Sequence, residues 1–187
     1  MNISFICVAS DDYVKKYERC ISSQEKYCKK NNYFYNLITD KKYISDRKDY
    51  YWKKILEVRD NLSNFDYSVL IDCDCEITDN ALPIESILDS NSIYYVLGIS
   101  KRPNSGFMIF KNDNRSIDFL KDVLDKKEKS IPAEFSMKGE NGFIIWSLSE
   151  NNKNAKELDL KWNCSQPDFI KDAFIIHYTN KMREHYR

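Results

Sequence analysis

Two rhythms of apolar and polar positions run along this chain. Short apolar runs without Gly or Pro predict strands over residues 3–9, 33–38 and 67–71, then over 93–99, 106–110 and 173–177. A possible further strand spans 157–160. Between them, apolar residues recur at helical spacing. Tyr17, Cys20, Ile21, Gln24 and Cys28 mark a stripe on a helix over 13–31, with Ser10 or Asp11 as its N-cap and Asn32 at its end. Trp52, Ile55, Leu56 and Val58 mark another over 50–61. Helices are also expected over 116–124 and 143–148, and a short one opened by Pro83 over 82–88. The order strand, helix, strand, helix, strand is the βαβ rhythm of a mostly parallel, Rossmann-like α/β sheet flanked by helices. A charged loop over 39–49 separates the second strand from its helix.

The run at 67–71 carries the most information. YSVLI is apolar throughout, as suits a strand covered on both faces, and it delivers Asp72 and Asp74 at once. In open α/β sheets ligands bind beyond the carboxyl ends of the strands. Two carboxylates this close repel, so a cation or a proton must offset their charge. Hard oxygen donors suit Mg²⁺ or Mn²⁺ with phosphate oxygens completing the shell. A solvated strand-end turn is the plainer alternative. His177 repeats the arrangement, ending the apolar run AFII, and faces the same rim if its strand is parallel to the others. Lys181 and Arg183 follow it, close enough to neutralise a departing phosphate.

Composition narrows the field. The 187 residues are enough for one domain with a sizeable core. The 29 basic and 29 acidic residues cancel, which argues against a nucleic-acid groove or an anionic membrane surface as partner. No apolar run is long enough to cross a bilayer, and the N-terminus reads as a strand rather than a leader. The six cysteines form no Cys-x-x-Cys pair, so they are expected to be reduced thiols of a cytoplasmic protein, with Cys73 and Cys75 buried and pointing away from the acids. Neither a Gly-x-Gly-x-x-Gly turn nor a Walker A loop follows the first strand.

The ordered set IDCDCEIT, RPNSGFMIF, GEN, KWN and IIHYTNKMR resembles the nucleotide-sugar-dependent glycosyltransferases of the GT-A fold. It is most similar to the retaining glycogenin-like and bacterial galactosyltransferase group, with the yeast-type α-galactosyl/α-mannosyltransferases a looser relative. The resemblance spans nearly the whole chain. It implies a UDP-sugar donor, a glycan or protein-linked sugar acceptor, and transfer with retention. Ala9, Ser10 and Tyr13 then hold the nucleoside, with the Tyr13 ring on the base, and Lys53 is a donor-binding lysine. Asp72, Asp74 and His177 hold Mn²⁺ (or Mg²⁺). Asn104 and Ser105 lie beside the donor sugar, Glu140 and Asn141 by the transferred sugar, and Asn163 on the acceptor-side loop. Lys181 and Arg183 face the leaving diphosphate.

The tail departs from the family pattern: Asn180 stands for a glycine, Arg183 for a lysine, and Pro-Trp is missing. Glu140-Asn141 stands for Asp-Gln. The alternatives are a haloacid-dehalogenase-type phosphatase, a sugar nucleotidyltransferase, and a catalytically silent sugar-nucleotide-binding module. Glu76 stands where the phosphatase motif wants Thr or Val, and SDDY is not the Gly-rich loop of a nucleotidyltransferase.

Overall fold

The computed structural model describes residues 1–39, 47–151 and 153–186, and most of the predicted charged loop, residues 40–46, lies outside the described residues. In chain order the strands are β1 (Ile3–Val8), β2 (Phe34–Ile38), β3 (Tyr67–Ile71), β4 (Cys75–Ile77), β5 (Ile93–Leu97), β6 (Pro103–Lys111), β7 (Ala155–Glu157) and β8 (Ile175–His177). The α-helices are α1 (Asp11–Lys16), α2 (Glu18–Asn31), α3 (Arg47–Leu62), α4 (Asn114–Asp125) and α5 (Asn141–Glu150).

Side chains alternate across a strand, and the central strands use both faces. Phe5, Cys7, Val69, Ile71, Phe107 and Ile109 point to one core, which α2 covers with Cys20, Ile21, Tyr27 and Cys28. Ile6, Leu70, Met108 and Phe110 point to the other, covered by Ile55, Val58 and Leu62 of α3 with residues of α4 and α5. Each such aliphatic side chain stabilises the fold by about 1.5–3 kcal/mol through burial. This two-sided burial is why the strands read as near-continuous apolar runs.

The main sheet has the order β2-β1-β3-β6-β5-β7. The pairs β1–β2, β1–β3 and β5–β7 are parallel, and only β6 runs against its neighbours β3 and β5. That single reversal positions the site. β6 starts at the rim where β3 ends, with Ile71 opposite Phe107 and the Asp72 amide donating to the Gly106 carbonyl at 2.9 Å.

Several expectations are corrected. The helix over 13–31 is two helices, parted at Tyr17, whose φ of −112° and ψ of 30° leave the helical region. The final strand does not join the main sheet; β8 pairs antiparallel with β4, a strand missing from the prediction, in a separate two-stranded sheet. The strand expected over 157–160 lies earlier, at β7 on the sheet edge, and a 3₁₀ turn, Leu160–Asn163, follows it. A second 3₁₀ turn, Pro167–Asp172, comes before β8.

The tail after β8 forms a further 3₁₀ turn, Asn180–His185, fastened to α2. Arg19 pairs with Glu76 at 3.1 Å and lies 4.7 Å from the centroid of the Tyr186 ring. Asn180, which replaces a glycine of the resembled family, takes φ 49°. Asn tolerates this left-handed region better than most residues, so the turn keeps a backbone that glycine would favour. Among the described residues no helix is long and apolar enough to cross a membrane.

Candidate active site

Four segments converge on the rim where β3 ends. β3 delivers Asp72 and Asp74. The paired register of β4 and β8 sets Cys75 opposite His177, and the Tyr178 amide donates to the Asp74 carbonyl at 2.9 Å. β6 brings Asn104, Ser105 and Gly106, and the N-terminus of α5 brings Glu140 and Asn141. Gln24, reaching across from α2, fastens the acid turn, donating to the carbonyls of Asp72 at 3.0 Å and Cys75 at 2.7 Å. Its side-chain oxygen accepts from the Tyr35 hydroxyl at 2.9 Å.

His177 is buried, with Nε2 3.3 Å from Asp74 Oδ1 and 3.9 Å from Asp72 Oδ2. Its other nitrogen, Nδ1, lies 3.0 Å from Asn163 Oδ1. Asn163 spends its own amide hydrogens on Asn104, Nδ2 being 3.0 Å from Asn104 Oδ1. The Asn163 oxygen is therefore the acceptor, Nδ1 carries the hydrogen, and Nε2 faces the acids. A ligating histidine is ordinarily oriented by such a second hydrogen bond. Gly106 makes room for the ring: a Cβ built there would collide with the imidazole.

The charges are coupled. Burial alone would lower the His177 pKa, but the carboxylates of Asp74 and Asp72 outweigh it and raise it above the ordinary histidine range. Burial works to raise the Asp74 pKa, yet His177 and then Arg183 outweigh it and hold it below the usual carboxylate range. Asp72 divides its oxygens. Oδ1 accepts from Lys54 Nζ at 2.8 Å while Oδ2 faces His177. Lys54 also contacts Glu140 Oε1 at 2.6 Å, and that oxygen accepts from Ser105 Oγ at 2.6 Å. Burial tends to lower the Lys54 pKa, but Asp72 and Glu140 prevail and hold the ammonium charged. Asn141 Oδ1 accepts from the Ser105 amide at 2.8 Å and its Nδ2 donates to the Pro103 carbonyl at 3.1 Å. The Asn104 side chain accepts from the Gly106 amide at 2.8 Å.

The residues singled out in the sequence are distributed as follows. Asp72, Asp74 and His177 are brought together. Asn104, Ser105, Glu140 and Asn141 form one hydrogen-bonded group beside them. Ala9 is buried after β1, and Ser10 caps α1 by accepting from the Tyr13 amide at 3.4 Å. The Tyr13 ring is half-buried against Tyr17, with centroids 5.6 Å apart. Arg183 and Lys181 are exposed, and the Arg183 charge is felt at Asp74. Lys53 points away from the acids to pair with Glu57 one turn along, at 2.5 Å.

The lysine at the acids is Lys54, which the sequence reading passed over. A signal for it existed: Lys54, Val58 and Leu62 are four residues apart, so Lys54 lies on the buried face of its helix. Gln24 lies on the buried stripe of its helix and Asn163 between Trp162 and Cys164, and only the fold shows what they hold. Cys75 corrects a further expectation. Its thiol does not point away; Sγ, Asp74 and His177 have ligand atoms all within 4.8 Å of one another. Burial, reinforced by Asp74 and Asp72, pushes this thiol well above its ordinary pKa, and it donates to the Gly106 carbonyl at 3.4 Å. With no cation beside it, the thiol is held neutral. All six cysteines are free and buried. A hollow of about 300 Å³, lined by Ser23, Lys26, Tyr27 and Glu76 among others, contains none of these donors.

The α/β fold matches the crystal structure of "a glycosyltransferase involved in the glycosylation of the major capsid of PBCV-1" with a TM-score of 0.78. That match has 13% identity and covers 98% of this chain and 96% of the other. The glycosyltransferase GlyE of Streptococcus pneumoniae TIGR4 matches at TM-scores of 0.61 and, in its apo form, 0.62, both at 13% identity. The matches cover 96% and 97% of this chain, which spans about half of GlyE, 56% and 55%. Residues 24–179 match the family described as "Protein of unknown function, DUF273", and the chain belongs to that family. No curated protein matches it.

Proposed function

We propose that this chain is a metal-dependent glycosyltransferase that moves a sugar from a UDP-linked donor to a hydroxyl of a glycan or protein-linked sugar, with retention. The observation that carries this is the aim of His177 Nε2 at the carboxylates of Asp74 and Asp72 while Nδ1 is engaged by Asn163. Two carboxylates and an imidazole are hard and borderline donors that suit Mn²⁺ or Mg²⁺ with phosphate oxygens. Bound there, the ion would supply positive charge to the diphosphate as it leaves.

The protein's own residues do the rest. Asn163 keeps Nε2 facing the acids. Lys54 bridges Asp72 and Glu140, offsetting part of their charge so that they can crowd the rim. Ser105 and Asn141 fix the start of β6, on which the donor sugar would rest. Arg183, already felt at Asp74, adds a contact to the leaving group. Glu140 is committed to Lys54 and Ser105, which supports a positioning role and leaves front-side displacement as the route to retention. Tyr13, in the first turn of α1, offers its ring to the base.

The test is thermal denaturation with UDP-, GDP- and CMP-sugars, each with and without Mn²⁺. A UDP-sugar with Mn²⁺ at a hundred times its Kd is expected to stabilise the fold by about 2.7 kcal/mol. Asp74→Asn is expected to abolish the metal-dependent part. Phosphate release from a simple phosphomonoester would replace this proposal with a phosphatase, and donor binding unaffected by Mn²⁺ would remove the metal from it. Binding without turnover of any donor would leave a silent binding module.

A further inference from the structure

The rim holds one soft donor that the proposed Mn²⁺ centre does not use. Cys75 and His177 stand directly opposite each other in the β4–β8 ladder, so their side chains leave the ribbon on the same face. Asp74 comes one residue earlier, its carbonyl tied to the Tyr178 amide at 2.9 Å. Cys75 Sγ, an Asp74 carboxylate oxygen and a His177 ring nitrogen consequently lie within 4.8 Å of one another, the one such cluster among the described residues. The backbone around it is fixed. The Cys75 amide donates to the Asp72 carbonyl at 3.0 Å, and the Cys75 carbonyl accepts from Gln24 at 2.7 Å. The thiol itself is held more loosely, donating to the Gly106 carbonyl at 3.4 Å, and a thiol is a weak donor. Donor spacing then says what the group suits. Ligands around a tetrahedral Zn²⁺, with bonds of about 2.0–2.3 Å, stand about 3.3–3.7 Å apart. Asp74 Oδ1 and His177 Nε2 are already 3.3 Å apart. Closing the set asks the thiol to move by roughly 1 Å, within reach of one side-chain rotation.

We infer that Cys75, Asp74 and His177 form a second ligand set, for a thiophilic divalent cation of the Zn²⁺ class, with water in the fourth position. As the cation binds, the thiol proton passes to solvent and the thiolate becomes a ligand. Zn²⁺ gains from that sulfur, whereas Mn²⁺ prefers carboxylate and phosphate oxygens. Asp74 and His177 belong to both sets, so the two cations exclude each other. Zn²⁺ at this set takes Asp74 away from the diphosphate cation and shuts the donor site. The ligand set stands on its own geometry; its effect on the donor site rests on the reading above.

The test is titration of the whole chain with Zn²⁺, with Mn²⁺ and with Co²⁺ as a coloured stand-in for Zn²⁺. The proteins are the wild type, Cys75→Ser, Cys75→Ala and Cys73→Ser, each with its metal-free Tm. Serine keeps a donor for the Gly106 carbonyl, so Cys75→Ser tests the sulfur rather than the fold. In the wild type, Co²⁺ is expected to give the near-ultraviolet thiolate-to-cobalt charge-transfer band, and Zn²⁺ to bleach it. Zn²⁺ should also release bound Mn²⁺, read as the free-ion paramagnetic resonance signal. Both Cys75 variants should lose the band and bind Zn²⁺ about tenfold more weakly or worse, with Mn²⁺ affinity unchanged. Cys73→Ser should keep the band. No band in the wild type, or a band that survives in Cys75→Ser, overturns the site. A Cys75-dependent band with Mn²⁺ still bound overturns the exclusion. Zn²⁺ held through Cys75 by a protein that binds neither Mn²⁺ nor a UDP-sugar upholds the site and removes the donor reading, and donor binding with Mn²⁺ but no band does the reverse.

Discussion

Lys54 and Lys126 are both buried, and each is held by two carboxylates, yet they serve different ends. Lys126 Nζ meets Asp122 at 2.5 Å and Glu150 at 2.7 Å, and lies 4.8 Å from the centroid of the Trp146 ring. It joins α4 to α5, and its acids remain 31% and 50% exposed. Lys54 meets Asp72 and Glu140, and Glu140 is only 3% exposed. Around Lys54 the acids Asp72, Asp74 and Glu140 outnumber Lys54 and a titratable histidine. Around Lys126, hydrogen bonds from Lys126 and Trp146 hold Glu150 below the usual carboxylate range. An ion pair that only joins helices can leave its acids in water. One that gathers three acids around one lysine and one histidine, with Asp72 still 29% exposed, leaves negative charge to be met by something outside the chain.

The comparison can be broken most sharply at the two lysines. Lys54→Met strands Glu140 and Asp72 without their cation, and is expected to cost about 3–5 kcal/mol in chemical denaturation. Lys126→Met returns exposed acids to water, and is expected to cost about 1 kcal/mol. Equal losses would mean the two clusters are the same kind of structural brace. Gly106→Ala presses a methyl group into the His177 ring and should cost about 1–3 kcal/mol. It should also remove Mn²⁺-dependent stabilisation, which no change at Lys126 should do. A variant that keeps that stabilisation would detach the ring from the metal proposal.

The smallest effect is in pH. The folded pKa of His177 is raised above its ordinary value of 6.5, so its stabilising contribution is full below that value and is lost as pH rises through the folded pKa. The folded pKa of Asp74 is depressed below 3.8, so its contribution holds above that value and is lost as pH falls through the folded pKa. The metal-free protein should therefore lose stability on the alkaline side of 6.5, by at most about 1.4 kcal/mol per pH unit. With Mn²⁺ the trend should reverse, because the proton and the cation compete for Nε2. His177→Asn should flatten both curves, whereas Lys126→Met should alter neither slope.

Much of the site was legible before any coordinates. Asp72 and Asp74 follow an apolar run directly, and the residues after such a strand fall at the rim by backbone geometry alone. His177 was placed beside them for a partly wrong reason. Its strand was expected to lie parallel in the main sheet, and it reaches the acids through β4 instead. Lys53 was named a donor-binding lysine on resemblance, and the lysine that meets Asp72 is Lys54, which the four-residue spacing to Val58 and Leu62 marks as the inward one. Gln24 and Cys75 bear no signal that separates them from ordinary core residues.

The sequence by itself determined the elements and the ends of the buried strands. Hydrophobic period and strand length are local properties, written along the chain. What only the tertiary structure decided is which polar groups meet across it: Lys54 with Glu140, Asn163 with His177, and Cys75 with His177. Those meetings depend on the reversal of β6 and the pairing of β4 with β8, both between segments far apart in sequence. Their energies come from burial and charge in three dimensions, which no local pattern encodes.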